Sequence, residues 1–330
     1  MELDTATDVT PGVSASAETN AALARCAVSG TKLTTEWERE GANGDVVMAT
    51  STVSNVLVIA NSDGVVEAWS TEPQTNQQIV RPYFRVQAGE GIRSVAISDD
   101  GQFVALASDL GVEILDLQDG RREAVMDDGD SLTSAVVSRR SSFDTHAASG
   151  GELGVHVRSA SGSGDTDLAP VLDEVNHLSY WNGSSHLIAA GQVDGIAALA
   201  VYPQGGLSVT AELPFAGSME TVLQLSDGRY LFAGMTEDQG FIVEGEMNTP
   251  HKPRYNSVAI AERSIESLVE LDGAIASFGE GRLEIWESET LGSLGGFNLG
   301  SAIHATVDAA SQTVLAVYAD GTQRLMACEL

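Results

Sequence analysis

The groups in this 330-residue chain that could do chemistry are six histidines, two cysteines and 47 carboxylates. A zinc site needs its ligands about 2 Å from one ion. His146, His156, His186 and His251 show no ligand spacing. His177 and His304 fall at matching places in a repeat set out below, each on a strand expected to line a central channel. Both are therefore candidates to face that channel. The repeats that carry them stand nearly opposite in a ring, too far apart to share an ion, so no metal is assigned. Met126–Asp130 (MDDGD) begins like a calcium loop but lacks the later Glu that completes one, and is expected to be a surface turn. GxSxG, P-loop, HExxH and CxxC signatures are absent from the sequence. Among 47 acids, chance carboxylate pairs carry no information. No catalytic residue and no cofactor is assigned.

Charge dominates the composition: 17 Lys and Arg stand against 47 Asp and Glu, a net −30, and only Lys32 and Lys252 are lysines. A nucleic-acid partner would need a basic footprint, which this balance excludes. The one basic island is His251, Lys252, Arg254 and Tyr255 (HKPRY). Its plain reading is a solvated loop. Its sharper reading is a contact point for an acidic partner, because Arg and Tyr concentrate binding energy at interfaces. Arg81, Tyr83 and Arg85 alternate along one strand face and form a second, weaker candidate.

The longest apolar runs, such as Ile196–Tyr202, fall well short of the ~18 residues a spanning helix requires, so no membrane segment is expected. The acidic start MELDTATDVT has no basic or apolar leader region, and a cytoplasmic setting is expected. Cys26 and Cys328 do not make a disulfide framework. Buried or unpaired thiols are the plain expectation for them, and an approach of the two is the alternative if the chain ends meet.

The elements that must position these groups are short strands. Gly91–Gly120 (GIRSVAISDDGQFVALASDLGVEILDLQDG) reads as strand, turn, strand, turn, strand, turn. Val95 and Ile97 alternate as on a half-buried strand. Asp99-Asp100-Gly101 is turn chemistry. Phe103–Ser108 is continuously apolar, as in a strand covered on both faces. Equivalent first strands begin near Asp45, Gly91, Leu132, Glu174, Met219, Ser264 and Ser301, a spacing of 37 to 46 residues. Four short strands at such a period predict a β-propeller. Leu132–Asp173 is the most degenerate repeat, with a loop expected over Ser159–Gly164. The last repeat stops after its third strand, and the orphan strand Thr31–Glu40 can supply the fourth. That count favours seven blades in one domain over 31–330, closed by the N-terminal strand; six or eight blades are the alternatives. Residues 1–30 are expected to be a mobile tail, with a short helix within Ala17–Ala27.

Ala68-Trp69-Ser70 and Ile285-Trp286-Glu287 end third strands, and Asp63, Asp109, Asp194, Asp238 and Asp320 precede them. With the turns Ser98–Gly101, Ser226–Gly228 and Ala319–Gly321, these resemble the WD40-repeat family in degenerate form, over roughly Thr31–Leu330. No blade opens on a Gly-His pair and none carries a full Trp-Asp ending. The resemblance implies a rigid, mostly non-enzymatic scaffold for protein partners. The alternative is a lactonase- or glycosidase-like propeller that uses its channel for catalysis or ligand binding. The five aspartates read as turn-formers and the two tryptophans as packing between blades.

The composition resembles that of proteins from a salt-accumulating, halophilic cytosol. At about 1 M salt the Debye length is roughly 3 Å, so the repulsion within −30 is screened there and strains the fold in dilute buffer. The thermal midpoint is expected to rise from dilute buffer to molar KCl; a flat melting series would refute the salt adaptation.

Overall fold

A computed structural model describes residues 21–40, 46–51, 56–70, 82–98, 100–126, 132–141, 144–151, 154–159, 166–168, 171–181, 186–202, 209–246, 254–308, 312–318 and 320–328. A helix, α1 (Ala22–Ser29), is followed by β1 (Leu33–Glu40), which joins no neighbour in sequence. The first sheet then holds β2 (Val46–Ser51), β3 (Val56–Asn61), β4 (Val65–Ser70) and β5 (Phe84–Gln87). The second holds β6 (Ser94–Ile97), β7 (Phe103–Ser108), β8 (Gly111–Asp116) and β9 (Arg122–Met126). The third holds β10 (Leu132–Ser141), β11 (Asp144–Gly151), β12 (Gly154–Ser159) and β13 (Thr166–Leu168). The fourth holds β14 (Glu174–Trp181), β15 (His186–Val193), β16 (Ile196–Tyr202) and β17 (Val209–Ala216). The fifth holds β18 (Ser218–Gln224), β19 (Tyr230–Met235), β20 (Gly240–Glu246) and β21 (Arg254–Ala261). The sixth holds β22 (Ser267–Leu271), β23 (Ala274–Gly279), β24 (Arg282–Glu287) and β25 (Ser293–Asn298). The last holds β26 (Ala302–Asp308), β27 (Thr313–Tyr318) and β28 (Thr322–Cys328), completed on the outside by β1.

Pairing is antiparallel in every sheet, and the first strand of each is innermost. Those innermost strands lie against one another in sequence, β2 on β6 and so on to β22 on β26, and β26 returns to β2. The sheets therefore close a ring, which is an all-β propeller. The last sheet takes its outer strand from the N-terminus: Leu33 pairs with Cys328 and Glu40 with Thr322. Arg324 Nε on β28 stands 2.6 Å from Glu38 Oε2 on β1, and its guanidinium lies 4.6 Å over the Tyr318 ring. The loop expected over Ser159–Gly164 lies outside the described residues beyond Ser159, which ends β12.

Local chemistry sets the turns. Between β6 and β7, Ser98 Oγ and Asp100 Oδ1 both accept from Gln102 N, and Gly101 takes φ +66. Before β8, the Asp109 carboxylate accepts from Arg93 Nη2 at 2.6 Å. Asp320 Oδ1 accepts from Thr322 N at 2.9 Å.

Alternation sets the packing. Leu57 and Ile59 of β3 face the last sheet, against Leu315 and Val317. Val58 and Ala60 of the same strand face the second sheet, against Val104 and Leu106. Every such seam around the ring carries its own apolar cluster. Trp69 packs in the seam between the last and first sheets, and Trp286 in the seam between the fifth and sixth. Their indoles are held differently: Trp69 Nε1 donates to Glu67 Oε2, and Trp286 Nε1 to Ser277 Oγ.

The expectation of a mobile tail over 1–30 gives way at residues 22–29. Leu23, Ala24 and Cys26 of α1 are fully buried against the sixth and last sheets, and Gly30 ends the helix at φ +68. The short apolar face of ALARCAVS has a seam to fill, which is why it orders. Residues 1–20 lie outside the described residues.

Unpaired thiols also give way. Cys26 on α1 and Cys328 on β28 form a disulfide, with Cα atoms 6.4 Å apart. The link fastens the helix to the closing sheet and spans 302 residues of chain. Closing so long a loop restricts the unfolded chain, and a bond of this kind contributes about 2–5 kcal/mol. Cys26→Ser, or reduction of the wild type, is expected to lower the urea midpoint accordingly. Superimposable oxidised and reduced curves would mean that the thiols are not bonded in solution.

Candidate functional site

The channel wall is built from the innermost strands, and most of them begin with a register shift. Thr133, Asn176, Glu220 and Ile303 are the extra residues on β10, β14, β18 and β26. Thr133, Asn176 and Glu220 clasp neighbouring sheets. Asn176 Nδ2 donates to Ser218 Oγ, Met219 O and Glu220 Oε1 of the fifth sheet, and Thr133 Oγ1 donates to Val175 O of the fourth. The next residues along reach into the seams. Ser134 Oγ accepts from Leu178 N at 3.1 Å, and Ser94 and Ser267 make the matching contacts with Ala135 N and Ala305 O.

His177 and His304 occupy this second position, on β14 and β26. Both are half-buried, and burial pushes their pKa down to about 4, so each imidazole is neutral at pH 7. The His304 ring meets Phe278 of the sixth sheet edge-on at 6.3 Å. The two histidines sit on different sheets and are not brought together. Burial, and then the charge of a neighbouring Glu, raise the Glu220 and Glu266 carboxyls above their usual range. Among the described residues, no group of three His, Cys, Asp or Glu side chains could hold a metal ion.

Part of the protein's scarce positive charge is tied down on the outer strands, at Arg85, Arg122 and Arg324. Among the described residues, a third-strand side chain meets a charged fourth-strand partner in the first, second, third and last sheets. Glu67 meets Arg85 at 3.4 Å, Glu113 meets Arg122 at 2.7 Å, His156 meets Asp167 at 2.9 Å, and Arg324 meets Glu38. Glu113 is fully buried. Gly89 N and Ser108 Oγ donate to its Oε1, and the close approach of Arg122 Nη2 to Oε2 is electrostatic rather than a well-formed hydrogen bond. Sequence reasoning missed these pairs, although glutamates at the third residue of β4, β8 and β24 were visible in the repeat.

One cleft of about 340 Å³ lies where the first and second sheets meet at the rim. The buried Val56 and Leu117 supply its apolar lining, Gly101, Gln102 and Gln118 come from the turns of the second sheet, and Asp116 is the last residue of β8. Tyr83, 56% exposed, stands at its side. Its volume lies within the range of small-ligand sites.

The sequence candidates therefore separate. Tyr83 reaches the cleft, while Arg85 points its guanidinium to Glu67. Arg254 and Tyr255 begin β21 on the outer edge of the fifth sheet. Arg81, His251, Lys252 and the acidic turn after Met126 lie outside the described residues.

No protein-family model matches the chain, and no curated protein matches it. Solved structures do. A chain of the crystal structure titled Mitotic Checkpoint Complex superposes with a TM-score of 0.70 at 17% identity, covering 88% of this chain and 94% of that one. The Cps50 (Swd1) β-propeller domain of Myceliophteria thermophila superposes with a TM-score of 0.71 at 15% identity, covering 90% of this chain and 100% of that one. The fold is that of a WD40-like β-propeller.

The buried imidazoles set a pH dependence. An unfolded chain binds their protons near pH 6.5, and the folded chain only near 4. Their contribution is complete above 6.5 and is lost as pH falls toward 4, by at most about 1.4 kcal/mol per pH unit for each histidine. Glu220 and Glu266 act in the opposite sense, since their raised pKa favours the folded state as they protonate. His177→Gln and His304→Gln are each expected to flatten the acid limb of stability measured by urea titration. An unchanged slope in both would mean solvated imidazoles.

Proposed function

We propose that this protein is a non-catalytic interaction scaffold, a ring of seven blades with one sheet to each, that presents its rim to protein partners. The observation that carries this reading is the aromatic-sided cleft at the rim between the first two sheets. Exposed tyrosine beside buried aliphatic groups is the composition that concentrates binding energy at interfaces. The similar propellers add support, because one of them is a chain crystallised in a multi-protein assembly. Lys252 with Arg254 and Tyr255, the last two at the start of β21, is a second contact in the same proposal, suited to an acidic segment.

A halophilic cytosol is proposed on composition alone. The Cys26–Cys328 bond pulls the other way, since disulfides persist mainly in oxidising compartments. Thiol alkylation of protein freshly isolated from its host separates the two settings.

Affinity isolation of the tagged chain from its host in molar KCl is the direct test. A stoichiometric protein partner is expected, and its retention falls with Tyr83→Ala or with charge reversal at Lys252 and Arg254. Recovery of the bare chain alone, at native abundance and in several salts, would overturn the scaffold reading.

A further inference from the structure

We propose that the rim cleft between the first and second sheets takes an arginine side chain from a basic segment of a partner protein. This rests on the scaffold reading and names the chemistry of its partner. Three features converge. Val56 and Leu117 offer apolar surface to the methylene stem of a long side chain. Tyr83 presents an exposed ring on which a planar guanidinium can stack. Asp116 brings a half-buried carboxylate to the same cleft.

The state of that carboxylate decides the occupant. Its Oδ1 accepts from Gln118 N at 2.8 Å, which holds the side chain in place. No cationic side chain among the described residues is paired with it, whereas Glu67, Glu113, Glu38 and Asp109 each have an arginine. A cation set against this carboxylate adds a charge-assisted contact that no arginine of the described residues already supplies. An anionic ligand is disfavoured by Asp116 and by the net −30 of the whole chain, which draws cationic partners toward the surface. A guanidinium matches the cleft better than an ammonium, because it can stack flat on the ring and fork onto the carboxylate at once.

The probe is the peptide acetyl-Gly-Arg-Gly-amide, titrated into the isotope-labelled full chain and followed by chemical-shift changes in dilute and in molar KCl. Peptides with citrulline or lysine in place of arginine are run beside it. Saturable one-to-one binding is expected, with the citrulline peptide weaker by about tenfold or more and the lysine peptide between the two. Asp116→Asn keeps the shape and the acceptor for Gln118 N, and Tyr83→Ala removes the ring. Each is expected to weaken arginine binding by about tenfold while leaving the melting curve in place. Equal affinity in both variants would mean diffuse attraction to an acidic surface, and no binding to the folded wild type would mean no site; either result overturns the proposal. Neither touches the scaffold reading, which stands or falls on partner isolation.

Discussion

Pairing of β1 with β28 is the constraint on which the rest depends. It joins residues as far apart in sequence as Glu38 and Arg324, a separation of 286, and gives the last sheet its outer strand. Without it β28 would present a free edge, the feature that templates pairing with other chains. The contact is fastened by the strand register and by Arg324, held between Glu38 and the Tyr318 ring. The disulfide from Cys328 to Cys26 ties the same strand to α1. Helix α1 adds a further fastening, because its buried face fills the seam between the sixth and last sheets.

Once the ring is closed, each sheet is shared. Odd and even residues of one strand feed different seams, as Leu57 and Ile59 do against Val58 and Ala60. A one-residue slip in register would therefore damage two seams at once. Small residues permit the close approach. A Cβ on Gly191, Gly234 or Gly279 would fall about 2 Å or less from the carbonyl oxygen of Glu174, Ser218 or Ser264. These glycines are in extended backbone, so it is space rather than a turn that selects them.

Much of this architecture was legible in the sequence. The alternation of Val95 and Ile97, the apolar run Phe103–Ser108 and the Asp-Gly turns are local signals, and they mark strands and turns where the structure has them. The orphan strand near Thr31 was legible as a closing strand because the last repeat lacks a fourth. What stayed hidden depends on contacts between distant residues. The approach of Cys26 to Cys328 was legible only as an alternative that depended on closure, and the short helix expected within Ala17–Ala27 is ordered by a seam that only the closed ring creates. The rim cleft was half visible: Tyr83 stood out in the sequence, but Asp116 and Leu117 reach it only through the meeting of two sheets.

The distance in sequence between β1 and β28 has a consequence for synthesis. The N-terminal strand leaves the ribosome before any of the ring, and its partner follows only after all the other strands. Until Leu325 and its neighbours emerge, β1 has no ladder to join, and the growing chain carries an unfilled place at each end. Pairing over so long a separation is slow to form, and open edges on a nascent chain invite association. In dilute solution the net −30 of the chain opposes that association, and molar salt screens this protection away.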